Sequence, residues 1–337
     1  LLGLSLWLAS GSATAQLTPQ AYAPPAPDLR PWYFEQRLAL LGVVVGLVAL
    51  FALELYLRGA NVSTRVALQR ARMFVLLCVF GVVAVWGFGR QARREARRSW
   101  GRPLHVAVVL LCPEPLDEPV VQAFRQAAGS ATRFVQIERA RYASDVLLAR
   151  GTAPFDRGPP IYFHVLGPIA PETMPATPAP GSSLWSELAQ HLALLRTLRA
   201  IDRQVGLASE RYDERMYVHA RRAQPGRAAR FVEGVGEAGG EVGVVSVDLD
   251  VSMVQAAWTA VIHEVLHTLG ASDKYDASGR ALYPDGFAEP ARVPPYPQRL
   301  AEIMVGEIPL APDRGKLPLT LDQVRVGAST AREIGWR

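Results

Sequence analysis

His263-Glu264-Val265-Leu266-His267-Thr268-Leu269-Gly270-Ala271-Ser272-Asp273 is the stretch on which the reading of this chain turns. Residues four apart on a helix lie one above the other on one face. His263 and His267 therefore aim two imidazoles at a single point. Two ring nitrogens so placed suit a divalent metal, and Glu264, beside the first histidine, suits a proton acceptor next to it. Gly270 permits a sharp bend, because glycine takes positive φ without steric cost. That bend returns Asp273, six residues after His267, to the open side of the imidazoles. Zinc held this way has two nitrogens and one oxygen from the chain and keeps a fourth position for water.

The helix carrying the motif is expected to start near Ser252, with Ser252 and Gln255 as a capping box. Val254, Trp258, Val261, Val265 and Leu269 form its core stripe, and Gly270 ends it. Upstream, His105–Leu111, Phe134–Ile137, Ile161–Leu166, Arg215–Ala220, Ala229–Val232 and Val242–Leu249 read as strands. Residues 118–128, 144–150 and 183–205 read as helices. Gly234, Gly236, Gly239 and Gly240 read as a loose glycine-rich turn. The whole predicts an α+β domain over 103–337, with a mixed twisted sheet and a site-bearing helix.

The pattern His263-Glu264-x-x-His267-x-x-Gly270-x-x-Asp273 resembles the elongated zinc motif of the metzincin peptidases. Aspartate at the last place is the variant of the snapalysin-type enzymes, and Tyr275 stands where that pattern also has a tyrosine. Ala301-Glu302-Ile303-Met304-Val305-Gly306 is similar to the methionine turn of the group, with Met304 as its methionine. The close resemblance covers about 45 residues. Beyond them it extends to an order of elements: strands, glycine-rich edge, motif helix, methionine turn, final helix. It implies a zincin-like fold and zinc-dependent hydrolysis of peptides, with His263, His267 and Asp273 on Zn2+ and Glu264 as general base. The chain departs from the group in a long proline-rich stretch from Tyr275 to Gln298, read as a lid or binding surface, and in its N-terminal apolar runs.

Other assignments stay open. Glu302 is the alternative third ligand, because zinc accepts a carboxylate from a downstream element. Asp276, Asp285 and Glu289 are weaker candidates, with Asp285-Gly286 read as a turn. Tyr275 either donates to a developing oxyanion or caps its loop. His105, His164, His191 and His219 read as structural.

The N-terminal part is of another kind. Ala13-Thr14-Ala15 ends an apolar stretch as a signal-peptidase site would, predicting a truncated signal peptide over 1–16. A proline-rich spacer follows over 17–37. Residues 38–57 and 73–89 are apolar runs read as two transmembrane helices, joined by a basic loop over 58–72. Residues 90–102, with six arginines, read as a basic juxtamembrane segment on anionic lipid. A cleaved signal peptide puts the C-terminal domain on the extracytoplasmic (periplasmic) side, whereas the arginine count alone favours the cytoplasm.

The net charge of +5 does not point to nucleic acid, since the arginines flank apolar runs and no nucleic-acid-binding signature appears. Cys78 and Cys112, the two cysteines, build neither a disulfide framework nor a thiolate metal site. The expected partners are a peptide or protein substrate and membrane lipid, with no small-molecule cofactor. The competing expectation is a non-catalytic membrane assembly or binding module on the same fold.

Overall fold

The computed structural model describes residues 42, 46–48, 64–148, 159–171, 184–223, 232–236 and 240–337. The expected signal peptide, the spacer, residues 58–63 and all but four residues of the expected span 38–57 lie outside the described residues.

A long helix, α1 (Thr64–Arg98), leads into β1 (Leu104–Leu111), α2 (Glu118–Leu148), β2 (Ile161–Ile169), α3 (Leu184–Gln204), β3 (Glu214–Arg222), β4 (Val232–Gly236) and β5 (Val242–Leu249). Then come α4 (Val254–Leu269), the short strands β6 (Ala301–Glu302), β7 (Ile308–Ala311), β8 (Arg314–Lys316) and β9 (Val324–Arg325), and α5 (Ala328–Glu333). The main sheet has the order β2-β1-β3-β5-β4. β1, β2, β3 and β5 are parallel, and β4 pairs antiparallel with β5 at the edge. The expected mixed sheet is thus present. Its helices connect parallel strands and cover both faces, so the architecture is mixed α/β, without the segregation of an α+β fold.

Every residue of β1 is buried, as a strand covered on both faces must be. Val106, Val108 and Leu110 join one core with Phe124 of α2 and Trp258 of α4. Ala107, Val109 and Leu111 join the opposite core with Leu198 and Ile201 of α3. Trp258 pins α4 in place. Its ring stacks on Phe124 at 5.0 Å and meets Phe163 edge-on at 5.2 Å, while its indole nitrogen donates to Phe124 O at 2.9 Å. Truncating such a buried tryptophan typically costs about 3–5 kcal/mol.

Two expectations are corrected. Phe134–Ile137 is not a strand, because α2 runs unbroken from Glu118 to Leu148. Ala127, Ala131, Phe134 and Val135 are all buried, and their spacing of four, three and one is helical. Gly234 and Gly236 are not a loose turn. They lie in β4, paired with Val245 and Gly243 of β5, so the neighbouring ladder supplies what side-chain propensity does not.

Residues 90–102 make contacts that composition does not show. Part of this segment faces the domain. Arg97 is 3% exposed; its Nη2 donates to Gly240 O at 2.6 Å, and its Nε faces Glu214 Oε1 at 3.4 Å. Arg93 pairs with Glu241 at 2.5 Å, and Arg102 pairs with Asp213 at 2.8 and 2.5 Å. The Trp100 indole donates to Ile334 O at 2.7 Å, and its ring packs on Trp336. Guanidinium forks of Arg93, Arg97 and Arg102 find carboxylates and a bare carbonyl here. Ahead of this docked end, Met73, Leu76, Leu77, Val79, Phe80, Val83 and Phe88 are exposed on α1. Among the described residues no helix is long and apolar enough to cross a membrane.

Burial pushes the Glu214 carboxyl up to about 7, against the pull of Arg97. A carboxyl that holds its proton more tightly folded than unfolded favours folding at acid pH, and this contribution fades as pH rises through about 7. Arg97→Ala is therefore expected to cost about 3 kcal/mol at pH 8, where it strands a buried carboxylate, and clearly less at pH 5. Chemical denaturation at the two pH values checks this; equal losses would show that Glu214 is not the partner that matters.

Candidate metal centre

β5 delivers the chain to α4 through Asp250, the first residue after the strand. Its Oδ1 accepts from Met253 N at 3.0 Å and from Ser252 Oγ, capping a short 3-10 turn, Val251–Met253, that feeds α4. The cap is thus Asp250 rather than the expected Ser252–Gln255 box; a short carboxylate two residues earlier reaches the orphan N–H first. Val254, Trp258, Val261, Val265 and Leu269 are all buried, as the stripe predicts.

Gly270 ends α4 at φ 104°. Gly270 N donates to His267 O, and Ala271 N donates to Leu266 O, each at 2.9 Å. These paired bonds are a Schellman turn, which uses the last carbonyls of a helix and needs the left-handed residue that glycine supplies. The turn also sets the site. Ala271 O accepts from His267 Nδ1 at 2.8 Å, and Ile303 O accepts from His263 Nδ1 at 2.8 Å. A carbonyl can only accept, so each Nδ1 carries the ring proton and each Nε2 presents a lone pair.

In the neutral rings both lone pairs face Asp273, and a protonated His263 donates to its carboxylate through Nε2. Its Oδ1 lies 3.3 Å from His263 Nε2 and 3.2 Å from His267 Nε2. One ligand atom from each of the three residues falls within a 4.8 Å cluster. The two rings stand at 77° to each other, as two edges of a tripod would. The donor set of two imidazoles and one carboxylate fits zinc, and the main-chain acceptors behind the imidazoles are the outer partners that such ligands use. Asp273 itself is held from both sides. Ser272 bonds Glu333 through N and Oγ at 3.0 Å each, Lys274 Nζ reaches both Glu333 oxygens at 2.7 Å, and Lys274 N donates to Met304 O at 3.0 Å.

The groups tune one another. Burial pulls His263 down, but its bond to Asp273 and the Glu264 charge carry it above the usual imidazole range. Burial, reinforced by His263, lowers His267. Burial opposes the charge on Asp273, yet the imidazoles and Tyr275 hold it below the usual carboxylate range. Glu264 is 3% exposed, and burial pushes its carboxyl up to about 7, against His263 and with Asp273. Its Oε1 lies 4.0 Å from His263 Nε2, and its Oε2 has no hydrogen-bond partner. A buried, unmatched acceptor oxygen beside three metal-ligand atoms is suited to take a proton.

The remaining candidates find different work. Glu302 is fully buried, but its oxygens accept from Met304 N at 2.5 Å, Gly327 N at 2.9 Å and Thr330 Oγ1 at 2.8 Å. With those lone pairs engaged it holds the 301–306 turn and is not part of the cluster, so it does not replace Asp273. That turn places Ile303 O behind His263, with Met304 fully buried in the core beneath. Tyr275 hydrogen-bonds Asp273, and burial with that carboxylate pushes its phenol up to about 12. Asp276 Oδ1 accepts from Ser278 N and Arg280 N, organising a turn. Glu289 is tied to Gln298 and Arg299. Asp285 and Glu289 are outside the cluster. His105 and His164 stack at 5.2 Å across β1 and β2 and are not part of the cluster.

The stretch from Tyr275 onward is a packed loop. Phe287, 2% exposed, meets Tyr283 and Tyr296 edge-on at 5.4 Å each, and Gln298 Nε2 bonds the carbonyls of Glu289 and Pro295. Sequence reasoning missed Asp250, Ala271, Ile303 and Glu333. Three of them act through main-chain atoms or a capping turn, and Glu333 acts across 61 residues. Compared with known proteins, the chain matches no family model and no curated protein.

Zinc added to the metal-free chain is expected to bind at about one equivalent. Its affinity should fall as pH drops from about 7 to 5, because His263 and His267 must be neutral to bind. Asp273→Ala should weaken binding by more than the roughly 10–100-fold typical of losing an outer-shell partner. Competition against a chromophoric chelator measures both. Affinity indifferent to pH and to Asp273 would rule out this tripod.

Proposed function

We propose that this chain is a membrane-anchored, zinc-dependent endopeptidase of metzincin type. The observation that carries the reading is the convergence of His263 Nε2, His267 Nε2 and Asp273 Oδ1, with both imidazoles locked by main-chain carbonyls. Supporting it, the element order matches what the motif resemblance implies: strands, a glycine-bearing edge, the motif helix, a buried methionine in a turn, and a final helix.

A zinc ion bound by these three residues would supply Lewis acidity, polarising a peptide carbonyl and lowering the pKa of water. Glu264 accepts the proton of the attacking water on its unmatched carboxylate edge and returns it to the departing amine. Tyr275, bonded to Asp273, orients that carboxylate. An extended peptide gains main-chain bonds by pairing with the outer edge of β4, which stands beside the motif helix. The loop that follows Asp273, with Tyr283 and Val293 exposed at its surface, contributes to substrate choice.

Membrane attachment rests on residues 38–57 and 73–89. The uncharged run 73–89 gives roughly 25 Å of helix against about 30 Å of hydrocarbon. Local thinning of the bilayer makes up the difference. The extracytoplasmic side is favoured for the domain. A cleaved signal peptide over 1–16 would deliver the domain to that side.

For the full chain in detergent, Glu264→Gln should keep its zinc and lose peptide cleavage by about two to four orders of magnitude. Zinc retained by a wild-type chain that cleaves no member of a broad peptide library would instead favour the non-catalytic membrane module. A compartment-sensitive reporter fused after Arg337 should be active outside the cytoplasm and silent inside; the reverse pattern overturns the assigned side.

A further inference from the structure

Glu264 faces a corner of the sheet that has been cleared of side chains. β4 and β5 are antiparallel, with Gly234 opposite Val245 and Gly236 opposite Gly243, and paired residues share a face. On the face toward α4, Val245, Val247 and Leu249 fill the core. Toward the other end of β5, beneath the motif glutamate, the side chains stop. A Cβ at Gly234 would collide with Glu264 Oε1 and stand 2.6 Å from its Cδ and 2.8 Å from its Cγ. A Cβ at Gly243 would stand 3.2 Å from Glu264 Cβ and 2.7 Å from Met216 Sδ.

Backbone geometry does not explain the glycine at 234. It lies in a regular strand and is not among the glycines at positive φ, so an alanine there meets no dihedral penalty. What it would meet is the outer half of one flexible side chain. The yielding atom is then the Glu264 carboxyl and not the strand.

We propose that Gly234 is a positioning residue, whose missing side chain forms the seat that holds the Glu264 carboxyl beside the metal ligands. This inference rests on the hydrolase reading for its effect on rate, but its structural content stands apart. Glu264 touches Gly234 and leaves its Oε2 unmatched, so little else fixes the carboxyl at that end. Filling the seat moves the acceptor by about an ångström or more, a misplacement that commonly costs about 100-fold in rate.

The test uses the full chain in detergent, loaded with zinc. Gly234→Ala should keep one equivalent of zinc with affinity within about twofold, since the three atoms nearest its Cβ all belong to Glu264 and none to a metal ligand. Its kcat should fall about 100-fold with KM within about twofold, the signature of an interaction used in the chemical step. Glu264→Asp draws the carboxyl back by one methylene, clear of position 234, and lowers the starting rate. In that background Gly234→Ala should cost less than about threefold. A crystal structure of Gly234→Ala should show the Glu264 carboxyl displaced and β4 in place. A kcat within twofold of wild type, an undiminished loss in the Glu264→Asp background, or an unmoved carboxyl overturns the proposal. So does unfolding or loss of zinc in Gly234→Ala, which would assign the glycine to the strand. A wild-type chain that holds zinc and cleaves nothing fails the hydrolase reading instead, and the carboxyl position then still decides the seat.

Discussion

Two main-chain carbonyls decide what the two imidazoles can do. A neutral imidazole has one proton, and giving it to Ile303 O or Ala271 O leaves the opposite nitrogen as a lone pair. Without those acceptors either ring could present its N–H inward, and the tripod would have no ligand face. Much of the chain after α4 serves to put these oxygens in place. The Schellman turn at Gly270 fixes Ala271, and Glu302 fixes the turn that bears Ile303. The bond from Lys274 N to Met304 O ties the two pieces together, so the aspartate and the methionine turn share one framework. Glu302 reads from sequence as a rival ligand, yet it governs the site through hydrogen bonds to N–H groups.

At the far side of the motif helix the constraint is ionic. The C-terminal carbonyls of α4 carry the negative end of the helix dipole. Arg97 approaches Thr268 O at 3.5 Å, and a Cβ at Gly270 would meet the Arg94 guanidinium. Both arginines come from α1. Glu214 on β3 answers Arg97 from beneath, and burial of that pair makes its balance depend on pH. The helix that bears the metal ligands is therefore clamped at one end by Trp258 packing and at the other by cations from the preceding segment.

What was legible in the sequence was local. The spacing of His263, His267, Gly270 and Asp273 is a statement about one helix and one bend, and periodicity alone places its ligands. Strand β1 was legible because burial on two faces writes itself as a continuous apolar run, and β5 because its buried and part-buried positions alternate. The failures were cases where the deciding partner lies far away in the chain. Phe134 and Val135 look like a strand until Phe124 and Ala131 are seen on the same helical face. β4 has a glycine where a strand former is expected, because the space belongs to Glu264. The partners of Arg93, Arg97 and Arg102 were not legible either, since nothing local shows Glu241, Glu214 and Asp213 waiting for them.

The docking of α1 also redraws where this domain can be separated from what comes before it. An excision placed at Pro103, where composition changes, would discard the guanidinium over Gly240 O and the indole that bonds Ile334 O. It would leave a buried acid on β3 facing an empty slot. A cut that keeps these contacts lies upstream of Arg93, and the end of α1 then serves the domain as an internal brace.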